Sequence, residues 1–427
     1  MKQNYELYDA VFWQMTRDAI VSCDKDFETE VAIVGGGIAG LSAAQEAVRN
    51  GKRVALFEQS FCGSGATGKS SGFVVSNAEL SFTDFVKRYD QSTAHAIWDF
   101  INRGVQDIAY NITQHNFACD YVSQDAIVLA TRMHDLKKLQ EEGQDLAKIG
   151  YSTTFYDRAT LRYHIGSERF FGGMVYHDTL SMNAYRYCQE LKRHLQSLGV
   201  LIFEETRVLK IENDMVITSR AKIQAQHIIV CVDRFFPQLD MLNQDVYHAQ
   251  TYVMVSKQLR EEQINNIFPQ KSYMACDTEL IYNYFRLTSD HRLLLGGGDI
   301  FTTYLNEKHH YHRIVKKLTN YIHRIFPKLE IEFEYMWPGL IGLSKDIGPI
   351  AGRDKKHSHI YYVAAATGLS IAAALGRYSI EHLCNGRTDL DHCFNPYRRF
   401  PISGTLQTIL GTKLSFALSN IIKQNIP

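Results

Sequence analysis

Apolar residues change their period several times along this chain, and each change marks an element. "EVAIV" (Glu30–Val34) is a short β-branched run, as expected of a buried strand. It meets "GGGIAG" and then "LSAAQEAVRN", a run of good helix formers. Gly51 closes that helix and "RVALFE" returns to a strand pattern. Strand, helix and strand in this order form one βαβ unit with parallel strands. Between Ser81 and Gln144 helical spacing dominates, in "FTDFVKRY", "AIWDFINRGVQDIAYNI" and "MHDLKKLQEEGQDLAKIG", with a strand-like "AIVLA" (Ala126–Ala130) inside it. "NAYRYCQELKRHLQSLG" is another helix, followed by short strands in "VLIFEE", "RVLKIEN", "MVITS" and "HIIVCV". A strand-rich block follows, with "AQTYVMVS", "LIYNYFRLT" and "RLLLGGG", and then a helix at "HRIVKKLTNYIHRIF". The last third gives "EFEYMWPGLIG", "IYYVAAATG" and the helix "AALGRYSIEHLCNG". The alternation predicts an α/β fold of two domains: a nucleotide domain scattered along the chain, and a strand-rich domain inserted between its pieces.

Composition narrows the function. The 427 residues are 45% hydrophobic and 22% charged, which fits a globular chain large enough for two domains. The 46 basic residues balance the 46 acidic ones, so no net field draws nucleic acid or an anionic membrane. The polar start "MKQNYELYDA" has no signal-peptide core, and no apolar run suits a membrane span. The 8 cysteines show no C-x-x-C and no zinc spacing, which points to reduced thiols in a cytoplasm and no metal centre. With 24 Tyr and 23 Phe there is enough aromatic material for a core and an aromatic-lined pocket.

The glycines after the first strand carry the strongest chemical signal. Gly35, Gly37 and Gly40 satisfy G-x-G-x-x-G between a strand and a helix that Ile38 and Ala39 open. Such a loop brings backbone N–H groups and the positive end of a helix dipole to a pyrophosphate. Glu58, followed by Gln59, ends the second strand where a carboxylate binds ribose hydroxyls. That favours FAD or NAD over a 2′-phosphorylated nucleotide. A second pattern competes: Gly63, Gly68, Lys69 and Ser70 spell G-x-x-x-x-G-K-S, and "IIVCVD" (Ile228–Asp233) resembles a magnesium-holding strand. A P-loop must open a helix directly, and "SGFVVSN" is a poor first turn. A nucleotide hydrolase is therefore only an alternative reading.

"FW" (Phe12–Trp13), "VAIVGGGIAGLSAA…FE" and "GSGATGKSSG" together resemble the N-terminus of the D-amino-acid-oxidase-like FAD-dependent oxidoreductases. The closest branch is the gamma-glutamylputrescine oxidase-like group. The resemblance continues in "CDTELIYNYFRLTSDHRLLLGGGD", "WPGLIGLSKDIGPIAGR" and "VAAATGLSIAAALGRYSIEHLCNG", so it spans nearly the whole chain. It implies a Rossmann-like FAD-binding domain from 1–80, 145–235 and 337–427, with an antiparallel-sheet substrate domain from 81–144 and 236–336. It also implies oxidation of a C–N bond by hydride transfer to FAD. Thr67, Lys69, Ser70, Ser71 and Gly72 are then expected near pyrophosphate and flavin, and Val208 at the adenine. Gly339, Leu340 and Gly368, Leu369, Ser370 and Ile371 are expected along the flavin edge. The chain departs from the family at Lys69-Ser70-Ser71, where Arg-Asn-Gly is usual, and at Thr367-Gly368-Leu369-Ser370, where S-G-H-G is common. No Cys lies in "GLIGLSKDIGP" and no His in the opening loop, so non-covalent FAD is expected.

Flavin amine oxidation asks the protein for positioning and for an unprotonated amine. Along "LIYNYFR", alternation puts Tyr282, Tyr284 and Arg286 on one face and Asn283 and Phe285 on the other. The tyrosines are candidates for a cation cage, Arg286 for a bidentate carboxylate anchor, and Tyr252 for a further pocket wall. The alternative is a half-buried strand whose arginine pairs with a structural acid. Lys345 is a candidate for holding a water at the flavin; the alternative is a surface lysine in a loop. "HHYH" (His309, His310, His312) reads as a solvated helix face. Leu406, Ile409, Leu410, Leu414, Ala417, Leu418 and Ile421 form an apolar stripe. It is expected to dock on the protein itself or to make a homo-oligomer contact. The reading is a cytoplasmic FAD-dependent enzyme oxidising a primary or secondary amine. The substrate is an amino acid or a polyamine derivative. Oxygen is the default acceptor and an electron carrier the alternative. A flavin-binding sensor or interaction protein without turnover is the alternative function.

Overall fold

The computed structural model describes residues 11–14, 18–76, 79–298, 311–400, 402 and 404–425. The strand Phe27–Val34 is the centre of the first sheet. It pairs in parallel with Val54–Phe57 on one side and Lys222–Val230 on the other. Leu201–Phe203 extends the sheet beyond Val54–Phe57. Lys222–Val230 divides its far edge: its start pairs antiparallel with Met215–Thr218, its end parallel with Ile360–Ala364. The helices Ile38–Arg49 and Leu369–Asn385 pack on this sheet through Leu41, Ala44, Ile371 and Leu375. The parallel βαβ unit expected from the sequence is thus present.

The second sheet has eight strands, ordered Phe333–Ser344, Val246–Gln258, Arg292–Gly297, Tyr284–Leu287, Met274–Asp277, Ala126–Ala130, Gly172–Tyr176 and Thr153–Asp157. Only Met274–Asp277 and Ala126–Ala130 run parallel; all its other pairs are antiparallel. The helix Tyr311–Ile325 covers one face, burying Phe285, Leu295, Leu318 and Ile322 together. A small sheet of Phe73–Val74, Leu180–Ser181 and Val122–Ser123 lies apart from both.

Two of the expected boundaries change. Within 145–235, Thr153–Asp157 and Gly172–Tyr176 join the second sheet, because their backbone groups pair with Ala126–Ala130 and with each other. Within 81–144, the helix Gln91–His115 packs with the first sheet's helices. Its Ile97, Ile101, Val105 and Ile108 share their core. The tail also differs. Gly411, at φ +77°, separates the helices Gly404–Leu410 and Thr412–Asn425 and resets the helical phase. Gln407 and Phe416 are buried, while Leu406, Ile409 and Leu414 of the expected stripe are exposed. The Ile421 side chain, His309 and His310 lie outside the described residues; His312 is exposed.

Candidate functional site

The turn after the first strand is built on two close approaches. Gly35 sits at φ +109°, and a Cβ there would come within 2.4 Å of the Cys231 carbonyl. At Gly40 a Cβ would lie 2.0 Å from the Gly35 carbonyl, so only glycine lets the helix start this near the strand. Gly37 is the helix N-cap and supplies no side chain to the first turn. The Ile38 N–H donates instead to Thr67 Oγ1 at 3.2 Å. Glu58 is buried where the second strand ends. It accepts from the Gly36 N–H at 2.8 Å and the Ser60 N–H at 2.9 Å. Burial pushes its pKa above the usual carboxylate range, and those two N–H groups oppose the shift.

The arm that follows is tied down from far away. Cys62 N–H donates to Glu204 at 2.7 Å, and Glu204 is paired with Lys192 at 2.8 Å in a buried bridge. Ala66–Lys69 is a helix of only four residues, and Ser70 returns to extended backbone. The long N-terminal helix of a P-loop is therefore absent here. Asp233 donates nothing to a metal reading either: it accepts from the Gly342 N–H at 2.7 Å, and no metal-holding cluster occurs among the described residues. Trp13 Nε1 and Trp337 Nε1 donate to the carbonyls of Ser70 and Lys69, at 3.2 and 2.9 Å, with their rings edge to face.

One cavity of about 1960 Å³ joins these parts to the second sheet. That is about twice the upper range for a drug-sized ligand and suits a dinucleotide plus a small substrate. Gly35, Gly37, Ile38, Ala39, Glu58 and Gln59 line it, as does Val208. So do Thr67, Lys69, Ser70 and Ser71 of the arm, and Gly339, Leu340, Gly368 and Leu369. Gly368 caps the helix Leu369–Asn385, so the altered "TGLS" still opens a helix at the cavity wall. A glycine cradle at a helix start, a buried carboxylate after the next strand and a cavity of this size fit a dinucleotide.

Tyr282 and Tyr284 also line the cavity, with ring centroids 6.0 Å apart, and Phe73 lies 5.8 Å from Tyr284. Tyr284 begins the strand Tyr284–Leu287, whereas Tyr282 stands in the turn before it. Glu79, which no pattern in the sequence marked, lines the same wall and accepts from Tyr282 Oη at 2.9 Å.

The other expected residues do not reach the cavity. Arg286 is buried, and its guanidinium donates to the carbonyls of Ser71 (2.7 Å), Leu287 (2.9 Å) and Met182 (3.2 Å). It therefore ties the arm to the second sheet instead of facing a carboxylate or pairing with an acid. Lys345 neither lines the cavity nor lies on the surface. It is buried, donating to Gln407 Oε1 at 2.8 Å and paired with Asp245 at 3.3 Å. Tyr252 belongs to the core beneath the second sheet, its hydroxyl accepting from Gln250 at 2.7 Å. Gly40 and Ile371 serve packing, Gly72 abuts the Met182 carbonyl, and Ser370 Oγ donates to the Val75 carbonyl at 2.6 Å.

Known proteins agree with this architecture. Gamma-glutamylputrescine oxidoreductase of Escherichia coli is 25% identical over 406 residues, 92% of this chain and 91% of that protein. The probable oxidoreductase OrdL of Haemophilus influenzae is 25% identical over 368 residues, 82% of each chain. The crystal structure of L-proline dehydrogenase from P. horikoshii aligns with a TM-score of 0.73 at 17% identity, over 87% of this chain and 97% of that one. The family described as FAD dependent oxidoreductase (DAO) matches residues 30–381. That span runs from the first strand of the glycine-loop sheet to the long helix after "TGLS", so the chain belongs to the DAO family of oxidoreductases and its cofactor is FAD.

Proposed function

We propose that the chain oxidises the C–N bond of a small primary or secondary amine to an imine, with oxygen as the default acceptor. The observation that carries this reading is the single cavity that runs from the glycine loop to the aromatic wall of the second sheet. FAD, when bound, supplies a hydride acceptor. On this reading Gly35, Gly37, Ile38 and Ala39 hold the pyrophosphate, and the arm from Thr67 to Ser71 lies along it. Val208 and Gln59 border the adenosine. Gly339, Leu340, Gly368 and Leu369 edge the flavin. Tyr282, Tyr284 and Phe73 exclude water from the amine, which lowers its ammonium pKa and frees the nitrogen lone pair. Cytoplasmic placement belongs to the same proposal and rests on the eight free thiols. No described helix is long and apolar enough to cross a membrane.

Glu58 is the ribose acceptor in this scheme. An amide in its place cannot receive the Gly36 and Ser60 N–H groups together with a ribose hydroxyl, because one of its polar atoms is a donor. Glu58→Gln is expected to raise the Kd for FAD roughly ten- to hundredfold, read by flavin fluorescence as apoprotein is titrated. An unchanged Kd removes Glu58 from the ribose site.

The reaction itself is tested by anaerobic mixing of the yellow protein with a panel of amines and amino acids. Bleaching of the flavin band is the expected outcome. If none bleaches it, the proposal fails and a flavin-binding protein without turnover is left. Peroxide release in air then separates an oxidase from a dehydrogenase.

A further inference from the structure

Glu79 has the environment of a ligand-binding carboxylate. It accepts a hydrogen bond from Tyr282 Oη at 2.9 Å, its side chain is exposed on the cavity wall, and desolvation by the surrounding protein raises its pKa. The Glu79 carboxylate and burial together hold the Tyr282 phenol well above its ordinary value. Tyr282 is still 39% exposed, and it faces the cavity that it lines. Tyr284 stacks beside it at a tilt, adding the π-faces that favour a cation. The thiol of Cys276, also on this wall, is pushed up to about 12 by burial and by the Asp277 and Glu79 carboxylates, so it adds no charge. Asp277 is engaged by the Asn283 backbone and side-chain N–H groups, each at 2.9 Å. Among the described residues no cation pairs with Glu79. A carboxylate exposed on a cavity wall and oriented by a phenol is open to meet a cation.

Neither Arg286 nor Lys345, the two cations expected at the reacting centre, lines the cavity. Arg286 is spent on three carbonyls, and Lys345 lies in another part of the fold. Arg88 and Arg132 line the cavity but are paired with Asp346 and Asp135. Lys69, Lys87, Lys138, Arg207 and Arg234 also line the cavity, but none of them is paired with Glu79.

We infer that Glu79, oriented by Tyr282 and flanked by Tyr284, is a subsite for a second cationic nitrogen of the substrate, whose class is an aliphatic diamine or polyamine with a free ammonium. This rests on the reading that the cavity takes an amine, and it adds the charge at the amine's other end. An α-amino acid offers a carboxylate where this wall already carries one.

The test is calorimetric binding to the FAD-loaded protein, with α,ω-diaminobutane, butylamine and γ-aminobutyrate as matched probes. The diamine is expected to bind roughly tenfold or more tightly than butylamine, and γ-aminobutyrate most weakly. Glu79→Gln is expected to remove the diamine's advantage while leaving butylamine within about twofold of its original Kd. Glu79→Asp, which keeps the charge, should retain part of the advantage. Equal binding of diamine and butylamine by the unaltered protein overturns the inference, as does an advantage that survives Glu79→Gln or tightest binding of γ-aminobutyrate. Flavin bleaching separates the two proposals. Glu79-dependent diamine binding without bleaching sinks the oxidation and keeps the subsite. Bleaching by amines with no charge preference does the reverse.

Discussion

Asp346→Ala is expected to destabilise the protein by about 3–5 kcal/mol, the range for breaking a buried ion pair from one side. Asp346 is 1% exposed and receives two N–H groups of Arg398, at 2.8 and 2.7 Å, together with Nη2 of Arg88. It also accepts from Ser344 Oγ at 2.7 Å and the Gly348 N–H at 3.2 Å. Burial pulls Arg398 down to about 10 and lowers Arg88 as well. Without the carboxylate, two enclosed guanidinium groups lose the acid that pairs with both. The damage reaches the site, because Arg88 and Ile347 line the cavity and Ile347 is held at φ +63° by this turn. Urea unfolding of the FAD-loaded protein measures the loss. Asp18→Ala is the control: its pair with Arg193 is half-exposed, and its removal should cost less than about 1 kcal/mol. Similar losses for both would show that Asp346 carries no special weight.

Glu142→Gln is expected to become more stable than the unaltered protein as pH rises. Glu142 is buried on the helix Met133–Lys148, accepts from the Phe82 N–H at 3.0 Å and is hydrogen-bonded to Tyr176. Burial raises its pKa from 4.5 to about 7. The fold therefore prefers the neutral acid. That contribution is fully present below the unfolded pKa and is lost as pH rises through about 7. The shift amounts to about 3 kcal/mol. Glutamine keeps the shape without the ionisation. The variant should match the unaltered protein near the lower value and exceed its stability by about 3 kcal/mol about a unit above the upper one. Denaturation curves at both ends of this window decide it, and parallel pH profiles refute it.

The cofactor side of the molecule was legible because its signals are local. Gly35, Gly37, Gly40 and Glu58 lie within one βαβ unit, where Gly40 packs on the Gly35 carbonyl and Glu58 accepts from the Gly36 N–H. The substrate side was not, because its members meet only through tertiary pairing. Glu79 and Tyr282 are 203 positions apart, and "SNAELSF" carries no period that marks a binding carboxylate. Arg286 shows a different limit. Alternation put it on the expected side of the strand, opposite Phe285, but sequence gives no information on which carbonyls lie within its reach. Thr153–Asp157 and Gly172–Tyr176 were missed because "TTFYD" and "GGMVY" are short, glycine-bearing or polar, and are stabilised by pairing with strands distant in the chain. The tail stripe misled because Gly411 breaks the phase that a continuous helix would keep.

The two tryptophans over the arm have a consequence for the order of assembly. Lys69 and Ser70 are fixed by Trp337 and Trp13, 268 and 57 positions away. The central strand Phe27–Val34 likewise finds Val54–Phe57 early but needs Lys222–Val230 to complete its other edge. A nascent chain of the first hundred or so residues therefore has the glycine turn without the Lys222–Val230 edge or the Trp337 tie. The Lys69 carbonyl receives its Trp337 donor only once the strand Phe333–Ser344 has been made. Contacts of such long range fold slowly. The arm therefore gains its longest-range tie from a strand made after most of the core residues.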